Sequence, residues 1–208
     1  MTALHALFIG NSFTARNDVP GLIATMAASR GHRLTHRLLS IGGASLRTHF
    51  NKGDAPRAIA SRDFDTVILQ EQSTLPIKNA ARMHENVRLF DAPIRDAGAR
   101  MVLYLTWARR HSPESQAAIT DAYTSIAREL RATFVPAGPA WEGSLAAHPH
   151  ITLHDKDQSH PTLAGSYLAA CVVFGALFKR SPKTLTVTIE GLDPKEATLL
   201  QAAAATFQ

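Results

Sequence analysis

The chain has 208 residues, 45% of them hydrophobic, a formal net charge of +5 and one cysteine. That length and apolar content fit a single domain spanning 1–208 with a sizeable core, and no linker, low-complexity tract or internal repeat divides it. The scattered Lys and Arg residues form no basic stripe interleaved with aromatics, which argues against nucleic-acid binding, and one cysteine excludes an intrachain disulfide.

Taken in chain order, the first element is the apolar run "ALFIG" at 6–10, which stops at Gly10-Asn11-Ser12 in the manner of a buried strand meeting a tight turn. No basic n-region or cleavage site precedes it, and no run has the length of a bilayer span, so the expectation is a soluble, cytoplasmic chain without membrane contact. The stretch "VPGLIATMAASRG" follows with helical character. Then come "LTHRLLSIG" at 34–42 as a second strand, "LRTHFNKGDAPRAIAS" as a helical stretch, and "TVILQ" at 66–70 as a third strand. "AARMHENVRLFDAPIRDAGA" predicts a helix, "MVLYLTW" at 101–107 a fourth strand, and "PESQAAITDAYTSIARELRA" a further helix capped by Ser112 with Pro113 in its first turn. "TFVPAG" at 133–138 is the fifth strand. Late in the chain, "TLAGSYLAACVVFGALF" is apolar nearly all round and is expected to pack on the sheet, with Cys171 a buried, inert thiol. "DPKEATLLQAAAATF" closes the chain as a capped helix.

Strands and helices alternating in this way imply right-handed crossovers and a parallel sheet covered on both faces. In such a sheet the chemistry gathers outside the carboxyl ends of the strands. Four strand ends therefore matter: Gly10-Asn11-Ser12, "IGGASL" around Gly43, "QEQST" from Gln70, and "TWARRH" from Thr106. A fifth candidate is "DKDQSHPTLAG", which sets Asp157 and His160 three residues apart just before an apolar helix. A serine hydroxyl needs a base within reach, and that base needs an orienting acceptor. Ser12 as nucleophile, His160 as base and Asp157 as orienting carboxylate meet that requirement. The Ser12 and Gly43 backbone amides and the Gln72 side-chain amide would supply donors for an oxyanion. Read separately, Gly10-Asn11-Ser12 is also an ordinary turn, and Asp157 or Ser159 would serve as a helix cap.

These residues resemble the SGNH (GDSL-type) hydrolases over residues 6 to about 170. "FIGNSFT" resembles the first block and its nucleophile, Gly43 of "GGASL" the second-block glycine, "VILQEQS" the third block, and "DQSHP" the D-x-x-H of the last. The chain departs from the family at Asn11, where many members carry Asp, and at Gln72, where most carry the oxyanion-hole Asn. The resemblance implies a flavodoxin-like three-layer α/β/α sandwich with a five-stranded parallel sheet. It also implies hydrolysis of esters or thioesters through a serine acyl-enzyme, on a small-molecule ester, with carbohydrate O-acetyl groups the favoured substrate. Acyl transfer on the same scaffold and a non-catalytic ligand-binding module are the alternative readings.

Glu71 is expected to point to the opposite face of its strand end, as a structural residue. Trp107 and Arg109, past the fourth strand, are candidate pocket residues: Trp107 to stack on a sugar ring, Arg109 to pair with an anionic group. His148, His150, His154, Asp155 and His160 match no zinc spacing, so no metal is expected, and neither G-x-G-x-x-G nor G-x-x-x-x-G-K occurs, so no nucleotide cofactor is expected.

Overall fold

A computed structural model describes residues 1–207. Five strands, β1 (Ala3–Gly10), β2 (Arg33–Ser40), β3 (Thr66–Leu69), β4 (Arg100–Leu105) and β5 (Thr133–Pro136), form one parallel sheet in the order β2-β1-β3-β4-β5. This is the flavodoxin-like order, in which the chain leaves β1 toward one edge and β3 toward the other. The crevice outside the ends of β1 and β3 is therefore where the flanking loops part.

The strands alternate between two apolar layers. Ala6 and Phe8 of β1, Ile68 of β3 and Val102 and Tyr104 of β4 face one layer, and Leu7, Ile9, Val67, Leu69, Leu103 and Leu105 face the other. Helices α2 (Val19–Ser29), α8 (Ala137–Ala147), α9 (Leu163–Phe178) and α10 (Pro194–Ala205) cover the first layer. Helices α3 (Leu46–Lys52), α4 (Asp54–Ala60), α6 (Ala80–Asp96) and α7 (Ser115–Leu130) cover the second. Helix α9 is apolar all round because α2, α8, α10 and the sheet enclose it. Its Cys171 is fully buried, and burial pushes the thiol pKa up, so the thiolate needed for reactivity is suppressed.

Several elements differ from the sequence reading for local reasons. The stretch 46–61 breaks into α3 and α4 at Gly53, whose φ of +82° ends one helix and opens the next. Helix α7 starts at Ser115 rather than at Pro113, because the Ser112 hydroxyl bonds the Glu114 carboxylate (2.6 Å) and Ser115 Oγ (2.7 Å) in a turn ahead of it. The fifth strand stops at Pro136. The next eleven residues, "AGPAWEGSLAA", form α8, a helix that two glycines and a proline conceal in the sequence. Two single-turn helices follow the ends of β1 and β3: α1 (Ser12–Ala15) after Asn11, and α5 (Leu75–Lys78) after the turn at 70–74. Among the described residues no helix is long and apolar enough to cross a membrane.

Candidate active site

The end of β1 is shaped before it carries any chemistry. A Cβ on Gly10 would lie 2.7 Å from Gln70 Oε1 and 2.8 Å from Thr14 Oγ1, so only glycine lets the strand end approach its neighbours this closely. Asn11 then caps α1: its Oδ1 accepts from Phe13 N at 3.1 Å, while its Nδ2 donates to Ala44 O at 3.2 Å. Ser12 is the first residue of α1, where backbone amides have no helical acceptor. Buried Gln70 holds this turn from β3, its Oε1 accepting from Asn11 N (2.9 Å) and from the Thr14 hydroxyl (3.0 Å). From the other side the buried imidazole of His49 donates through Nε2 to Gly10 O at 2.7 Å, and burial lowers its pKa, keeping it neutral.

Ser12 Oγ lies 2.7 Å from His160 Nε2, although 148 residues separate the two in sequence. His160 Nδ1 donates to Asp157 Oδ2, and Asp157 Oδ1 accepts from the Ser159 and His160 backbone amides at 3.0 and 2.9 Å. With Nδ1 protonated toward the carboxylate, Nε2 is left as the acceptor for the serine proton; the hydrogen-bond pattern assigns this tautomer. The His160 ring and these backbone N–H groups hold the Asp157 carboxyl well below the usual carboxylate range. The loop is closed at its base by the antiparallel bridge His154–Pro161 and by Asp155 N donating to His160 O at 2.8 Å. The cap of α9 is Thr162, whose hydroxyl accepts from Gly165 N, so Asp157 and Ser159 are not used as caps.

The proposed anion donors stand after the neighbouring strands β1, β2 and β3. Gly43 follows β2 with φ +67°, a conformation that favours glycine, and the space where its Cβ would project is open. Gln72 Oε1 accepts from Thr74 N (2.9 Å), Thr74 Oγ1 (3.1 Å) and Leu75 N (2.9 Å). Three converging donors fix the orientation of the amide and leave its Nε2 with no acceptor among the described residues.

Trp107 does not meet the expectation of a sugar platform. It is 1% exposed, stacked between Phe13 (centroids 4.8 Å apart) and Trp141 (3.9 Å), and its Nε1 donates to Ser159 O at 3.0 Å. Both faces are covered, so it supports the site from beneath. Phe13 in turn sets its ring edge-on to His160 at 5.4 Å. Arg109 is exposed and borders a neighbouring cavity of about 300 Å³ lined also by Trp141, Glu142, Leu145 and His154. None of Ser12, Gly43, Gln72 or His160 lines that cavity, and among the described residues no hydrogen bond or ion pair joins Arg109 to any of them. Among the described residues no group of three or more His, Cys, Asp or Glu is placed to hold a metal ion.

Glu71 is fully buried, and its carboxylate faces inward rather than into the site: Oε1 accepts from Leu46 N (3.0 Å) and Gln72 N (2.7 Å), and Oε2 from Asn86 Nδ2 (2.8 Å). Phe13, His49, Gln70 and Asn86 surround the site and carry no separate sequence signal of their own, because each is joined to it by a partner distant in sequence.

No family model and no curated protein sequence matches the chain. Solved structures do. A DUF4886 family protein from Bacteroides uniformis superposes with a TM-score of 0.79 at 21% identity, covering 98% of this chain and 94% of its own. A provisionally assigned SGNH hydrolase from Slackia heliotrinireducens gives a TM-score of 0.69 at 25% identity over 84% of this chain and 99% of its own. An acetyl xylan esterase gives 0.67 at 13% identity over 84% and 100%.

Proposed function

The chain has the fold of the SGNH hydrolases, and we propose that it is a serine hydrolase of small carboxylic esters. The observation that carries this reading is the relay Ser12 Oγ to His160 Nε2 (2.7 Å) with His160 Nδ1 on Asp157, at the β1/β3 switch point. A binding module has no use for a base aligned on a serine in this way.

In the proposed reaction Ser12 Oγ attacks the ester carbonyl carbon while His160 Nε2 takes the hydroxyl proton. Asp157 stays ionised and stabilises the imidazolium that forms. The negative charge that develops on the carbonyl oxygen is met by the Ser12 and Gly43 amides and by Gln72 Nε2. Collapse of the tetrahedral intermediate breaks the bond to the alcohol oxygen, which receives the proton from His160, and leaves an acyl group on Ser12. Water then attacks this acyl-enzyme, giving its proton to His160. The second tetrahedral intermediate releases the carboxylic acid, and the proton returns to Ser12.

Carbohydrate O-acetyl groups are the favoured substrate within this class. The acetyl xylan esterase of the same fold supports that choice. The test is turnover of p-nitrophenyl acetate, and then of an acetylated xylo-oligosaccharide, by wild type and Ser12→Ala matched for folding by circular dichroism. Ser12→Ala is expected to lose about 10³-fold or more in kcat with KM little changed. Equal rates in the two proteins would sink the reading.

A further inference from the structure

The mechanism above uses no buried acid, yet the chain buries one at the centre of the site's framework. Glu71 is 0% exposed, and no Lys or Arg nitrogen lies within ion-pair distance of its carboxylate among the described residues. Burial raises its pKa against the opposing pull of its N–H donors. A group this unfavourable to bury has to be held by what it bonds, and what it bonds is specific. Oε1 takes two backbone amides at once: Leu46 N, which opens α3 just after the Gly43 turn, and Gln72 N, whose side chain offers the third anion donor. Oε2 takes Asn86 Nδ2 from α6, and Asn86 Oδ1 takes Arg47 Nε at 2.8 Å, so the amide of Asn86 cannot turn over without losing both bonds.

We propose that Glu71 is a positioning residue for the oxyanion hole: one buried carboxylate oxygen clamps the β2-end turn carrying Gly43 to the β3-end turn carrying Gln72. The proposal rests on the ester-hydrolase reading and assigns Glu71 no contact with substrate. The Gly43 turn has a second tether, since Asn11 Nδ2 donates to Ala44 O. Asn11 therefore fixes the turn to the nucleophile, and Glu71 fixes it to Gln72. The clamp explains how Gln72, one methylene longer than asparagine, is held back at its own backbone while its Oε1 is occupied by Thr74 and Leu75.

The hydrogen-bond pattern dictates the variant that tests this. Glu71→Gln keeps the shape but offers one acceptor and one NH₂ group. If its oxygen keeps Leu46 N and Gln72 N, its NH₂ meets the Asn86 NH₂, donor against donor. Adding Asn86→Asp restores an acceptor there and gives Arg47 a carboxylate. The experiment measures kcat and KM on p-nitrophenyl acetate for wild type, Glu71→Gln and Glu71→Gln/Asn86→Asp, below their melting temperatures and normalised to the folded fraction. It also follows amide hydrogen exchange at Leu46 and Gln72.

Glu71→Gln is expected to lose about 10- to 100-fold in kcat with KM within about twofold, and to exchange Leu46 and Gln72 amides faster. The double variant is expected to recover both to within a few-fold of wild type. A folded Glu71→Gln with unchanged kcat and unchanged exchange overturns the proposal, as does a double variant no better than the single one. These outcomes separate from failure of the hydrolase reading, which is decided by wild type against Ser12→Ala. If that pair were equal, exchange at Leu46 and Gln72 alone would still decide whether the clamp exists.

Discussion

The two halves of the candidate site are built in opposite ways. The acid–base half is local and wet: Asp157 and His160 are three residues apart, share one turn, and keep side-chain exposures of 45% and 27%. The proposed anion-binding half is long-range and dry. Asn11, His49, Gln70 and Glu71 are each at most 4% exposed, and they join β1, the β2-end turn, β3 and α3 through bonds spanning 25 to 59 residues. The difference has a physical reason. A base needs a carboxylate beside it and a free ring nitrogen, which one turn supplies. An oxyanion hole needs donors from separate chain segments held in fixed register, which only a buried framework supplies.

This contrast makes unequal predictions. Asp157→Asn breaks only the local half. It is expected to lower kcat by roughly 10³-fold, since the Nδ1–H loses its ionised acceptor, while the fold changes little because the carboxylate is half exposed. Steady-state kinetics alongside urea denaturation would check both parts. Trp107 belongs to both halves, touching Phe13 beside the nucleophile and Ser159 O beside His160. Trp107→Ala is expected to cost about 3–5 kcal/mol of stability from the buried stack it leaves open, read as a shift in the urea midpoint; a shift below a third of that would show that the stack relaxes without it.

The smallest effect concerns pH. Each half contains one buried imidazole whose pKa burial lowers: His49 on Gly10 O, and His154, whose Nε2 donates to Ala108 O at 3.0 Å. On acidification the unfolded chain takes up protons at these positions before the folded one does. Stability therefore falls as pH drops through the ordinary imidazole range near 6.5, by at most about 1.4 kcal/mol per pH unit for each group. His49→Gln, which can keep an N–H toward Gly10 O, is expected to flatten the dependence of unfolding free energy on pH between about 7.5 and 5.5. An unchanged slope would show that His49 does not resist protonation in the folded state.

The same contrast decides what could be read from the sequence. All five strands and their parallel arrangement follow from short apolar runs alternating with helical stretches. Ser12 and Gly43 stand out because glycine and a small hydroxyl interrupt those runs at strand ends. Asp157 and His160 stand out because their partnership is three residues long. The features with no local signal depend on distant contacts. Trp107 reads as a pocket residue until α8 is known, because Trp141 covers one of its faces, and glycine and proline hide that helix. Gln72 reads as a simple amide donor until Thr74 and Leu75 fold back onto its oxygen. The pleat alone sets Glu71 on the opposite face, but nothing local shows that its carboxylate spans two turns.

The most direct test of the central claim is covalent labelling by a fluorophosphonate, with the modified peptide mapped by mass spectrometry in wild type and in His160→Ala. Wild type is expected to be modified near-stoichiometrically at Ser12 alone, and His160→Ala at a rate reduced by about 10³-fold. Labelling at another serine, or equal labelling of Ser12 in both proteins, would contradict the claim.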